Sequence, residues 1–175
     1  MTAFPDLLET LGEVFLVPGA TADWAAFAGA PWAPPGLRRG LEALAAAPSG
    51  ELDVAYAGLF LAGRGIRLEL SAVRTGQLRD EGVLLELDGI FEAAGIHPDP
   101  GVPPDHLGVL LLLLGHLLRR AEEPELPTGR LFTCHLQPLA GSVALELGRP
   151  GVHPFYAAAG EVLAGATDLC ADLLG

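Results

Sequence analysis

The stretch of residues 103–118, PPDHLGVLLLLLGHLL, decides the fold, because it joins a rigid double proline to an unusually apolar helix. Pro104 suits the first position of a helix, where its missing N–H has no partner to lose. The residues that follow are apolar on nearly every side through Leu118. A helix of that kind is surrounded by other helices. We therefore predict that this segment, which runs to about Glu123, is the central helix of the protein.

Segments of helical length lie on both sides of this stretch, separated by the 23 glycines and 15 prolines of the chain. Phe4, Leu8, Leu11 and Phe15 repeat at helical spacing and predict a first helix that ends before Pro18. We predict further helices over a short segment capped by Thr21, over residues 37–47, 49–63 and 77–94, from Thr128 with a kink at Pro138, and over residues 154–174.

Two segments between these helices do not have a helical pattern. Residues 29–36, GAPWAPPG, contain three prolines and are predicted to form a loop. Residues 66–70 alternate between apolar and charged side chains as a strand does, but a single strand would have no partner. We interpret them as an extended connection. The whole pattern predicts an all-α fold, a single domain over residues 1–175 built as a bundle of about seven or eight helices.

The composition is hydrophobic and acidic, with 50% hydrophobic residues, no lysine and a formal net charge of −12. Nucleic-acid binding depends on lysine and arginine to neutralise phosphates, and an anionic membrane surface repels an acidic protein. We therefore expect neither as a partner. The acidity suits a basic partner, although it is also explained by the need to keep an apolar chain in solution.

Nothing in the sequence predicts a membrane segment or an ordinary signal peptide. The apolar run that starts at Leu107 extends over about 12 residues, too few to cross a bilayer. Residues 1–18 carry acidic side chains and no basic one, unlike a signal peptide. We expect the protein in the cytoplasm. Cys134 and Cys170 lie in apolar helical patterns outside any CxxC motif, and we predict that both are buried free thiols.

The sequence contains no motif that is typical of an enzyme. The absence of lysine excludes a phosphate-binding P-loop and any Schiff-base mechanism. The five histidines are scattered and include no HExxH pair, so no metal site and no cofactor are predicted. Cys134 and His135 are neighbours on a predicted helix, where adjacent side chains diverge, and are not expected to form a catalytic dyad.

The unusual feature is the pair Asp105 and His106 at the start of the predicted central helix. Asp105 in a first helical turn would complement the helix dipole and accept a free backbone N–H, while His106 would bond the preceding loop. The same geometry would also present a carboxylate and a titratable imidazole to a partner. The pattern alone leaves both interpretations open.

Four landmarks in one order resemble the TorD/DmsD family of redox-enzyme maturation chaperones, which is related to the NarJ type. They are the YxxLF-like segment from Tyr56 to Phe60, the stretch that starts at Ser71, the PDHL motif over residues 104–107, and His135-Leu136 followed by Phe155-Tyr156. The resemblance covers residues from about Asp53 to the C-terminus, and the PDHL motif ahead of a leucine-rich helix is its most specific part.

The resemblance implies a TorD-like all-α chaperone that binds the twin-arginine signal peptide, or another part, of a molybdopterin oxidoreductase subunit and catalyses nothing. It implies that Pro104, Asp105, His106 and Leu107 contact the partner. Asp105 would either face a guanidinium group or fix the junction between loop and helix. Tyr56 and Phe60 are either part of the apolar wall of that site or plain core residues. Some members of the family form domain-swapped dimers, and guanine-nucleotide binding has been proposed for some, so a homodimer and GTP are also among the expected partners.

Two other classes of function compete with this one. The Asp-His pair also suits a nucleotide-binding or small-molecule-binding helical domain, in which arginine would have to meet the phosphate charge. A purely structural helical interaction domain is the third hypothesis.

Overall fold

The computed structural model describes residues 3–62, 65–123 and 126–175, and in these ranges it is all-helical, without a strand. The helices are α1 (Ala3–Leu16), α2 (Trp24–Ala28), α3 (Pro35–Ala46), α4 (Leu52–Tyr56) with a π-helical turn (Ala57–Leu61), α5 (Leu70–Thr75), α6 (Glu81–Ala94), α7 (Leu107–Arg119), α8 (Thr128–Arg130) with a π-helical turn (Leu131–Leu136), α9 (Gln137–Leu147) and α10 (Pro154–Leu174). The predicted all-α bundle is confirmed.

Helix α7 is the central helix, as its apolar sequence predicts. Leu110, Leu114 and Leu117 have no exposed surface, and each such leucine contributes about 2 kcal/mol through burial. The helix packs along α1, while α10 packs against α3 and α9. Glycines allow the close approach of α1 and α7: a Cβ added at Gly108 would lie 2.6 Å from the carbonyl oxygen of Gly12.

Several predicted helix boundaries are wrong, two of them because a nearby side chain caps the helix at a different residue. Helix α2 is capped by Asp23, which accepts the N–H of Ala26, and not by Thr21. Asp80 accepts the N–H of Val83, so α6 begins at Glu81 and not at Gln77. Helix α3 starts with Pro35 inside the predicted loop, since proline is favoured in a first turn.

Helix α7 begins at Leu107, three residues later than predicted, and ends at Arg119. Pro104 and Asp105 therefore precede the helix, and Asp105 is not in its first turn. The cause lies in a segment distant in sequence. Residues 103–106 form a turn, closed by the bond from the N–H of His106 to the carbonyl of Pro103, and His106 then forms an antiparallel β-bridge with Glu69 that keeps its own backbone extended. Residues 66–70 therefore have the pairing partner that the sequence did not reveal.

The helix that was predicted to kink at Pro138 contains a π-helical turn just before it. The N–H of Gln137 bonds the carbonyl of Phe132, five residues back, and Pro138 is the second residue of α9. Proline has no N–H for the normal helical bond, so a local change of hydrogen-bonding pattern at this point is expected. The helical segment continues without a break through this change of pattern, and the predicted kink stays a prediction.

The two cysteines differ in their surroundings. Cys170 is buried on α10, and burial raises the pKa of its thiol to about 12, so it stays protonated at neutral pH. Cys134 is exposed, and the prediction that it is buried is wrong. Among the residues that the structure describes, no helix combines the length and the apolar character that crossing a membrane requires.

Candidate functional site

The segment that leads into α7 is fixed by backbone pairing with the segment before α5. The N–H of Leu107 donates to the carbonyl of Leu68 at 2.7 Å, and the N–H of Leu70 donates to the carbonyl of Asp105 at 3.0 Å. These bonds hold the PDHL motif and the start of α5 side by side. Leu68, Leu70 and Leu107 are all buried at this junction.

Asp105 is almost completely buried, with 1% of its surface exposed. Its Oδ2 accepts the backbone N–H of Ser71 at 2.8 Å. Ser71 lies in the first turn of α5, where an N–H has no partner within the helix, so a buried carboxylate satisfies it and complements the helix dipole. The prediction that Asp105 faces outward is therefore wrong, because the carboxylate is used to cap α5.

His106 is also buried, with 8% exposed, and it caps α7. Its Nδ1 accepts the N–H of Gly108 at 3.1 Å, which requires this nitrogen to be unprotonated. Burial lowers the pKa of His106 to about 4, while the Asp105 carboxylate opposes this effect. The imidazole is therefore neutral at pH 7. The expectation that His106 faces outward and changes its charge near neutral pH is wrong.

The aromatic landmarks form a separate cluster. The rings of Tyr56 and Phe60 are 4.9 Å apart, and Tyr156 lies 5.5 Å from Phe60. The hydroxyl of Tyr56 donates to the carbonyl of Phe15 at 2.8 Å. Tyr56 is buried and Phe60 half-buried. The structure therefore joins the YxxLF-like segment to the Phe155-Tyr156 landmark, and it favours a core role for Tyr56.

His135, another landmark residue, is buried in the π-helical turn before α9. Its side chain has no exposed surface, and among the described residues neither ring nitrogen has a hydrogen-bond partner. Glu86 Oε2 lies 3.7 Å from Nε2, and Arg74 contacts the same oxygen at 3.6 Å. Burial lowers the pKa of His135. Cys134 beside it is exposed, so the two do not form a dyad.

Two adjoining cavities lie beside the loop of residues 98–105. The first, about 390 Å³, is lined mainly by apolar side chains from the ends of α1 and α6 and from α7, among them Leu16, Val17, Phe91 and Leu112. We call it the apolar cavity. The second, about 480 Å³, lies between residues 98–105 of the loop and Leu78, Arg79 and Leu84. We call it the loop cavity.

The two cavities share Pro98, Asp99 and Val102 in their linings and therefore adjoin at these loop residues. We call the pair of cavities the loop groove. Pro104 and Asp105 line its loop end, whereas neither cavity includes His106, Leu107, Tyr56 or Phe60 in its lining. Of the expected partner contacts, only Pro104 and Asp105 therefore border the groove. Among the described residues, no cluster of three or more histidines, cysteines or carboxylates could hold a metal ion.

Two exposed apolar residues line this groove at positions for which no pattern in the sequence predicted a site. Val17 is 53% exposed at the apolar cavity, and Leu78 is 65% exposed at the loop cavity. Val17 directly follows α1, and Leu78 lies shortly before α6. The sequence marks each of them only as an apolar residue outside a helical repeat. That signal is weak, because single exposed apolar residues are common on protein surfaces.

A family model described as nitrate reductase delta subunit matches residues 23–133 of the chain. No curated protein matches the chain. The matched residues cover more than half of the chain and include the segment from Tyr56 to Phe60, Ser71 and the PDHL motif. The chain therefore belongs to the nitrate reductase delta subunit family, whose members are redox-enzyme maturation chaperones.

Proposed function

We propose that this member of the nitrate reductase delta subunit family binds the N-terminal leader of a molybdopterin oxidoreductase subunit in the cytoplasm. It would hold that subunit until its cofactor is inserted. The general role in molybdoenzyme maturation follows from the family. The leader as the bound part, the cytoplasmic site of action and a single working domain over residues 1–175 are parts of the proposal.

The loop groove is the observation that carries this proposal. It is concave, open to solvent and lined mainly by apolar side chains, with the carboxylate residue Asp99 at the junction of its two cavities. Apolar pockets with few polar groups are the usual form of a site for an amphipathic peptide segment. Val17 and Leu78 are exposed at its two ends, and a bound peptide would cover them.

The charge of the protein supports a basic peptide as the occupant. A formal net charge of −12 attracts a cationic segment and repels anionic ones. A twin-arginine leader has two guanidinium groups followed by an apolar segment. In the groove, the apolar segment would fill the apolar cavity while a guanidinium approaches Asp99.

The loop cavity suits a nucleotide less well. Arg79 is its cationic lining residue, and Asp99 and Asp105 line the same cavity with carboxylates. Two carboxylates beside a single guanidinium disfavour a triphosphate, because like charges repel at short distance. GTP therefore has less support from this structure than a peptide has.

Titration calorimetry with a synthetic twin-arginine leader tests the proposal on two matched variants. Val17→Gln introduces a polar group at the apolar cavity, and Val54→Gln introduces the same group at an exposed position outside the groove. We expect Val17→Gln to weaken binding by roughly tenfold, since burial of a valine contributes about 1.5 kcal/mol. We expect Val54→Gln to bind as the unmodified chain does.

The pair of variants also locates the site if the groove is wrong. Weakening by Val54→Gln alone would place the leader on the exposed face of α4 and contradict the loop groove. If leaders from molybdopterin oxidoreductases do not bind the unmodified chain, leader binding is contradicted altogether.

A further inference from the structure

One wall of the loop cavity is carried by a short segment that is buried at its start, at Leu68, Leu70 and Ser71, and exposed from Arg74 to Arg79. Residues 68–80, which we call the strap, comprise the six-residue helix α5 and an exposed turn at Gly76, and they end at the cap of α6. Gly76 has a φ of +75°, which favours glycine, so the chain changes direction there. Leu78 and Arg79 lie beyond this turn and line the loop cavity.

The strap is joined to the PDHL segment by three hydrogen bonds at its start. Two are backbone bonds, from Leu107 to Leu68 and from Leu70 to Asp105. The third is the bond from the N–H of Ser71 to Asp105 Oδ2. Farther along, Arg74 contacts Glu86 at 3.6 Å, but both side chains are more than 40% exposed and water screens their attraction. The bond to the buried carboxylate therefore adds to the burial of Leu68 and Leu70 in holding the start of the strap.

We infer that Asp105 is a positioning residue. It holds the strap so that Leu78 and Arg79 form the wall of the loop cavity. Through that wall it acts on the client, by which we mean the bound leader peptide. The inference rests on the proposed function, because its main test measures affinity for a leader peptide. It differs from a direct role, in which the carboxylate itself pairs with a guanidinium of the client.

The burial of Asp105 favours the indirect role. Only 1% of the residue is exposed, and one of its oxygens is already engaged by Ser71. At 2.8 Å this bond has the length of a well-formed hydrogen bond. Leu78, by contrast, is 65% exposed, so the strap and not the carboxylate offers surface to a partner.

A double-mutant cycle separates the two roles. Affinity for a twin-arginine leader is measured for Asp105→Ala, for the wall variant Leu78→Ala/Arg79→Ala, and for the triple variant. We expect Asp105→Ala to weaken binding about tenfold in the unmodified chain and less than about twofold when the wall is already removed. An equal loss in both backgrounds would show that Asp105 contacts the client and would overturn the inference.

Asp105→Asn supplies the conservative control. Its amide oxygen can still accept the N–H of Ser71, so we expect affinity within about threefold of that of the unmodified chain. Leu85→Ala is the matched surface control, since Leu85 is exposed on α6 and does not line the groove. If Asp105→Asn loses as much affinity as Asp105→Ala, the negative charge is what the client needs, and the positioning role is wrong.

Amide hydrogen exchange tests the strap without any client. In Asp105→Ala we expect exchange of the amides of residues 70–79 to accelerate at least about tenfold, with no change in α1 and α10. Should that variant not fold, Asp105→Ser replaces it, since its side chain is too short to reach Ser71. Unchanged exchange of residues 70–79 overturns this inference, whereas failure of the leader to bind the unmodified chain contradicts only the proposed function.

Discussion

Ser71 donates its backbone N–H to the carboxylate of Asp105 across 34 residues of sequence, at 2.8 Å. This bond brings two of the family landmarks into contact and determines how the PDHL motif is used in the chain. The motif forms a turn and caps two helices, α5 through Asp105 and α7 through His106. Asp105 is buried at the loop end of the groove and His106 lies outside the lining of both cavities, so neither side chain is exposed to a partner.

The cap formed by His106 makes the fold sensitive to acid. Because its pKa in the folded chain is about 4, against 6.5 when unfolded, the unfolded chain takes up a proton first as the pH falls. The stability that this residue contributes is complete above pH 6.5 and is lost between pH 6.5 and pH 4, by roughly 3 kcal/mol.

We expect His106→Asn to remove that part of the pH dependence, since asparagine caps helices and does not titrate. Urea unfolding of both proteins at pH 7 and at pH 4.5 measures the difference. Parallel losses of stability in the two proteins would contradict the assignment to His106.

The contact between α1 and α7 requires glycine at position 108. A Cβ there would lie 2.5 Å from Leu16 Cγ and 2.6 Å from the oxygen of Gly12, so Gly108→Ala forces the helices apart. We expect a loss of about 2 kcal/mol or more in the free energy of unfolding. Gly89→Ala on α6, where nothing lies within 4 Å of the new Cβ, is the control and should stabilise by up to about 1 kcal/mol. Equal effects at both positions would show that the helix contact is looser than described.

Tyr56 tests whether the aromatic cluster serves the core or the client. Tyr56→Phe removes the buried hydrogen bond to Phe15, and we expect a loss of about 1 kcal/mol in the free energy of unfolding with unchanged leader affinity. Tyr156→Phe is the matched variant, since its hydroxyl bonds Leu52 at the longer distance of 3.3 Å and should cost less. A loss of leader affinity in Tyr56→Phe without a loss of stability would assign the tyrosine to the client site.

His135 is expected to behave in the opposite way from His106. Burial of an imidazole whose nitrogens have no partner among the described residues costs free energy, and an apolar side chain of similar size avoids this cost. We expect His135→Leu to raise the free energy of unfolding by roughly 1 kcal/mol at pH 7, as measured by thermal or urea unfolding. Destabilisation by His135→Leu would show that the imidazole makes a favourable interaction, for which Glu86 is the nearest candidate.

The sequence predicted the elements whose cause is local. Helix α10 has the predicted bounds because a proline starts it and its apolar residues repeat at helical spacing over five turns. The central position of α7 follows from its apolar surface, which no exposed helix could maintain in water. The change of hydrogen-bonding pattern just before Pro138 follows from the missing N–H of proline.

Other features depend on contacts between distant residues and could not be predicted. Helix α5 has six residues, too few to be stable alone, and exists where Asp105 and the bridge to His106 satisfy its first turn. The start of α7 moved from Pro104 to Leu107 because pairing with residues 68–70 outweighed the local preference of proline. The loop groove is formed by side chains from α1, α6, α7 and the strap, whose spacing in sequence carries no periodic signal.

The amino-acid sequence by itself therefore determined an acidic all-helical bundle, its central helix and the family landmarks, because charge, periodicity and helix-breaking residues act over a few neighbouring positions. Only the tertiary structure decided that Asp105 and His106 point inward and that the groove lies beside them. A carboxylate turns toward the strongest available donor, and that donor, the N–H of Ser71, is brought near only when the chain has folded.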